Sequence, residues 1–157
     1  MKSHVGKLKT EAMLNICREY GGEECQYVPQ GKAFDWEHDT VFTPIAILAT
    51  DDIDVRKNIY LHCLGNIELL IDGRMAAESG QIFLVRMNDE TQRKKYEESF
   101  FERSEALQED CTSRATIYCG EFIASLIVGL YKAYCIDAII PFKVVFNLRT
   151  LTIETEY

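Results

Sequence analysis

The segment PIAILATDDIDVRKNIYLHC, residues 44–63, decides how the chain is read. Its apolar start, six residues without a charge, has the composition of a buried strand, and the strand is expected over 41–49. Two aspartates then end the run. Beyond Asp52, Val55, Ile59 and Cys63 recur every four residues, which is the spacing of one helical face. A strand followed directly by a helix, with a further apolar strand at 67–71, predicts two parallel strands joined by a crossover helix. The expected architecture is an α/β sheet with helices on its faces.

The same reading extends in both directions. Leu8, Ala12, Ile16 and Tyr20 mark an amphipathic helix over 5–20, ended by Gly21-Gly22. A short strand is expected at 25–28, closed by Pro29, with a loop over 30–40. Another strand is expected at 81–87, and the charged stretch 88–110 fits a solvated helix and loop. A long, nearly all-apolar buried helix follows at 115–135. Residues 142–148 and 151–155 alternate like a closing antiparallel pair. There is no internal repeat or low-complexity linker, and 157 residues suit one domain with a sizeable core.

The totals exclude several functions. A net charge of −8 does not favour a nucleic-acid surface, which needs clustered cations, or attraction to anionic lipid. The only apolar run that resembles a span, 122–131, is half the roughly 20 residues a membrane requires. Six cysteines contain no CxxC pair, and no signal peptide precedes them, so a reducing cytoplasm is expected. Cys17, Cys63, Cys119 and Cys135 fall on apolar helical faces and read as core residues. His4, His38 and His62 lack ligand-like spacing.

Asp51 and Asp52 have two readings. Either carboxylate can accept from the free N–H groups of the helix that follows and oppose its dipole. A carboxylate just past a parallel strand also stands where α/β sheets bind ligands, and can hold magnesium through oxygen. The division expected here is Asp52 as the cap and Asp51 as the metal ligand. Cys111 is likewise double. A thiolate before the long helix gains from its dipole, whereas Glu109 and Asp110 oppose the charge.

Four pieces, VGKLKTEAM (5–13), ATDDIDVRKN (49–58), LLIDGRMAAESGQIF (69–83) and DCTSRATIY (110–118), come in an order that resembles the ThiF/MoeB/HesA family of ubiquitin-activating-type adenylyltransferases. The resemblance implies a Rossmann-like fold that binds ATP and magnesium. It implies adenylation of the C-terminal carboxylate of a ubiquitin-like or sulfur-carrier protein, with a cysteine taking over the acyl group in many members. By position, Lys9 matches the lysine that reaches the ATP phosphates and Asp51 the aspartate that helps hold magnesium. Asp52 stands where the family usually has asparagine. Arg56 matches an arginine expected to be structural, paired with a carboxylate. Cys111 becomes the candidate acyl carrier. Asp72-Gly73-Arg74, expected as a loop after the strand, is either a turn with an Asp–Arg pair or a receptor for the partner's glycine tail, with Arg74 on its carboxylate.

The chain also departs from that pattern. None of its nine glycines forms a GxG, so the family's phosphate cradle at a helix N-terminus is missing from this sequence. In the family's sheet order two strands from that segment lie between those expected at 25–28 and 41–49. The fold expected is therefore an incomplete ThiF-type sheet, completed by a homo-oligomer or by a partner chain that supplies the nucleotide-binding segment. The rival is a non-catalytic module that pairs with a complete homologue or binds the ubiquitin-like protein without activating it. Calorimetric titration of this chain alone with Mg-ATP is expected to show weak binding, and tight binding would contradict the reading.

Overall fold

The computed structural model describes residues 5–21, 26–35, 38, 43–100 and 116–157. The chain divides into two compact units, Met1–Glu37 and His38–Tyr157.

The first unit contains helix α1, Lys9–Gly21, none of whose residues is buried. Residues 26–35 form no strand, so the strand expected at 25–28 is not found over its described part, and Cys25 lies outside the described residues. Pro29 and Gly31 favour this outcome, since neither supports a ladder.

The second unit is a mixed α/β structure around a five-stranded sheet in the order β1-β2-β3-β4-β5. Strand β1, Ile45–Leu48, pairs in parallel with β2, Leu69–Ala76, and helix α2, Ile53–Cys63, crosses between them. The expected strand–helix–strand unit is present, with a shorter first strand. The remaining pairings are antiparallel. β2 returns as β3, Ser79–Arg86, through a two-residue turn whose Ala77 has φ +50°. Thr116 and Leu148 donate their N–H groups to the carbonyls of Ala77 and Glu78, which ties this turn down. β4, Lys143–Asn147, and β5, Thr152–Glu156, form the expected closing pair. In their turn the Asn147 side chain accepts from the N–H groups of Arg149 and Thr150.

Two helical layers cover the sheet. On one face Leu70, Phe83 and Val85 meet Tyr60 of α2 and Tyr96 of α3, Glu90–Glu97. On the other, Leu69, Ile71, Ile82, Leu84, Val144 and Phe146 meet Cys119, Ile123 and Ile127 of α4, Ile117–Cys135. The period-two alternation along β2 and β3 thus fills two cores at once.

Two expectations are corrected here. Asp72-Gly73-Arg74 is not a loop after a strand: it lies in the middle of β2, which runs on to Ala76. The glycine answers to packing, because a Cβ on Gly73 would stand 2.9 Å from Ile127 Cδ1 of α4. Helix α4 is not buried all round either. Cys119, Ile123 and Ile127 are its buried residues, while Ile117 and Val128 are 84 % and 65 % exposed.

Gly80 marks the closest approach in the sheet, since a Cβ there would lie 2.6 Å from the Phe146 ring and 2.8 Å from the Arg74 carbonyl oxygen. Gly80→Ala is expected to destabilise the fold by about 1–3 kcal/mol. Gly73→Ala should cost less, because its nearest neighbour is the far end of a side chain that can turn away. Urea denaturation of the two variants checks the order.

Candidate functional site

The site is built where β1 ends. Asp52 has extended backbone dihedrals, and its Oδ1 accepts from the N–H groups of Asp54 at 2.9 Å and Val55 at 3.2 Å. It is the N-cap of α2, as expected. With the cap filled by its neighbour, Asp51 is exposed between the end of β1 and the helix.

Arg56, one turn into α2, points back under this junction and is almost entirely buried. Its guanidinium donates to the carbonyl of Thr50, next to Asp51, and to that of Gly73 at 3.4 Å, and it pairs with Asp72 Oδ1. The structural pairing expected for Arg56 is therefore present. Asp72 has no exposed surface. Its second oxygen accepts from Arg74 Nε at 2.8 Å and from the Tyr96 hydroxyl at 2.9 Å.

Arg74 extends the cluster to α3. Its two terminal nitrogens donate to the carbonyl and the hydroxyl of Ser99, both at 3.0 Å. The guanidinium carbon lies 4.7 Å from the centre of the Phe83 ring, 5.3 Å from Tyr96 and 5.4 Å from Phe100. Charge-assisted bonds and aromatic faces together hold this side chain.

Two guanidinium groups thus share one buried carboxylate, leaving an excess of one positive charge. Burial, and then the neighbouring Arg74 cation, push Arg56 down to about 10, against raising contributions from Tyr96 and Asp51. Burial also lowers Arg74 and raises the Tyr96 hydroxyl. The Asp51 carboxylate acts on Arg56 through space, so the exposed acid at the strand end helps balance the excess cation behind it.

The other singled-out residues are distributed as follows. Lys9 is exposed at the first position of α1, in the other unit. Cys111 lies outside the described residues. Of the cysteines expected in the core, Cys119 is buried and Cys17 partly so, but Cys135 is exposed because it ends α4 on its outer face.

Among the described residues no group of three or more histidine, cysteine or acidic side chains is placed to hold a metal ion. Asp72 is committed to two arginines and Asp52 to the helix, whereas Asp51 at the strand end and Asp54 in the first turn of α2 are exposed, and Asp51 is the one directly beyond β1. A single carboxylate fits magnesium, which keeps several waters and is commonly shared with substrate phosphates. A recess of about 350 Å³ on this same unit has Phe83 and Phe142 in its lining and is spanned by the Lys95–Glu156 pair, and Asp51 takes no part in it.

Sequence reasoning missed Tyr96 and Ser99. The available signal was the pair Tyr96 and Phe100, two aromatics one helical turn apart inside a charged segment. Comparison with protein-family models and with curated proteins gives no match to this chain. Among the described residues no helix is long and apolar enough to cross a membrane.

Asp72→Asn keeps the shape of the side chain and removes its charge, leaving both arginines buried without a counter-ion. The expected loss of stability is about 3–5 kcal/mol, measured by urea denaturation. A loss below about 1 kcal/mol would mean that Asp72 does not balance the cluster.

Proposed function

We propose that this chain is part of a ThiF-type adenylyltransferase that uses ATP and magnesium to activate the C-terminal carboxylate of a ubiquitin-like or sulfur-carrier protein. The observation that carries this reading is the division of labour at the end of β1. Asp52 satisfies the helix, and Asp51 is left exposed beyond a strand paired in parallel, on a junction pinned by Arg56. Asp51 offsets part of the Arg56 charge, and its exposure beyond the strand leaves its carboxylate open to a cation as well.

In the reaction proposed, an oxygen of the partner's carboxylate attacks the α-phosphorus of ATP. The bond from that phosphorus to the bridging oxygen breaks, and pyrophosphate leaves with the electron pair. Magnesium, when bound, neutralises charge building on the phosphates. Asp51 would hold it, largely through its waters. Lys9 is the lysine that the resemblance assigns to the phosphates, and Cys111 would receive the acyl group from the adenylate with release of AMP. Arg56 positions the strand end. Arg74 belongs to the same anchor, where its donors already have protein partners; contact with the partner's carboxylate would require it to leave them.

β1 also supports the need for a second component. Among the described residues it is an edge strand of the sheet, and its Ile47 is half-exposed. An apolar parallel strand is normally covered on both sides and paired on both edges. A glycine-rich nucleotide-binding segment from another chain, added alongside β1, would complete both the sheet and the phosphate site. That makes the whole a Rossmann-like ThiF fold in two parts.

ATP–pyrophosphate exchange tests the proposal, with a glycine-rich upstream segment and a ubiquitin-like protein ending in glycine supplied in trans. Exchange is expected with the native chain and is expected to fall about 100-fold or more in Asp51→Ala. Asp52→Asn, which preserves a good cap, should retain most of it. Stoichiometric binding of the ubiquitin-like protein with no exchange would instead support the non-catalytic module.

A further inference from the structure

The recess of about 350 Å³ on the second unit is separate from the site at β1 and is bordered by α3 and by strands β3, β4 and β5. Its floor is fixed. Phe83 and Phe142 meet edge-on with ring centres 5.9 Å apart, and both are almost fully buried. Ser99, on the α3 side, is held by the two terminal nitrogens of Arg74. The volume is at the low end for small-molecule sites, which suits a ligand of amino-acid size rather than a nucleotide.

The charges around this floor do not pair by nearest position. Lys143 and Glu156 stand directly opposite each other on the β4–β5 ladder, where facing side chains begin about 5 Å apart. The Glu156 carboxylate nevertheless accepts from Lys95 of α3 at 2.7 Å. Lys143 lies with its ammonium 5.1 Å from the centre of the Phe83 ring and acts on Glu156 only through space. It is partly buried and has no ion-pair partner among the described residues. Taking a cation out of water without a counter-ion is unfavourable, and a ring face offsets only part of that cost.

Glu98 is the complementary case. It closes α3 with its backbone N–H, donated to the carbonyls of Lys94 and Tyr96, so the cap makes no use of its side chain. Its carboxylate is exposed where it lines the recess, and it too has no ion-pair partner among the described residues, Lys143 included. Lys95 and Glu156 offset each other. Among the described residues the recess therefore presents a free cation, a free anion and no net charge. A simple anion would gain at Lys143 and lose at Glu98 and Glu156, and a simple cation would meet the reverse. A molecule carrying both signs gains at both ends.

We infer that this recess binds a small zwitterion of the amino-acid class, with its carboxylate on Lys143, its ammonium on Glu98 and an apolar side chain against the Phe83–Phe142 floor. The site lies wholly on the second unit and does not depend on the nucleotide chemistry proposed above.

Amide NMR of the full chain titrated with L-leucine tests it. Shifts are expected at Lys95, Ser99 and Lys143, saturating with a Kd on the order of 1 mM. Lys143→Met, which keeps the apolar stem over Phe83, and Glu98→Gln should each weaken binding about fivefold or more, with the rest of the spectrum unchanged. Isocaproate and isoamylamine, which resemble leucine but carry one charge each, should bind about fivefold more weakly than leucine. No saturable shift up to about 20 mM leucine, or shifts confined to other residues, would overturn the inference. So would binding indifferent to either substitution. Equal binding of leucine and isocaproate would overturn it as well, since the recess would then take a carboxylate alone.

Discussion

Asp72 is the group on which the second unit depends. One buried carboxylate receives Arg56 from α2, Arg74 from its own strand and the hydroxyl of Tyr96 from α3. Three elements are thereby referred to a single point on β2, and the Arg56 contacts to Thr50 and Gly73 add the end of β1. Such a cluster is a poor source of net stability, because three ionised side chains must be taken out of water. What it supplies is position: each hydrogen bond fixes a direction, which apolar packing alone does not. An apolar replacement would leave the strand end and the helix start free to slide against each other.

The surroundings of the cluster are suited to that role. The rings of Tyr60, Tyr96, Phe83 and Phe100 meet edge-on or tilted at 5.0–5.9 Å, and Arg74 lies over three of them. A guanidinium tolerates this because it is weakly hydrated and flat. The Tyr60 hydroxyl, donating to Glu97 at 2.7 Å, joins α2 to α3 at the far side of the same layer. The exposed carboxylate of Asp51 therefore sits on a base whose every element is anchored, the condition for holding a ligand in a defined place.

Much of this was legible in the sequence. The β1–α2–β2 unit follows from an apolar run, two aspartates and a four-residue apolar period, all local features. The Asp52 cap follows from the residue type just before that period. The β4–β5 pair follows from alternation. In each case the structure is decided within one or two turns of chain, where propensity and hydrogen bonding act directly.

Other features required the tertiary structure. Asp72-Gly73-Arg74 has the composition of a turn, yet it is the centre of a strand, because β3 pairs with all three residues, β1 reaches Asp72 from the other side, and α4 leaves no room for a side chain at Gly73. The one-sidedness of α4 was hidden, since its outer face is also largely apolar or small. Only the sheet shows which face is covered. The association of Arg56, Asp72 and Tyr96 was equally out of reach, because the residues are 16 and 24 positions apart in the chain and no local pattern links them. The sequence by itself determined the elements, the cap and the residue types available for chemistry; the tertiary structure decided which charges meet, because buried charges choose partners by the packing that encloses them.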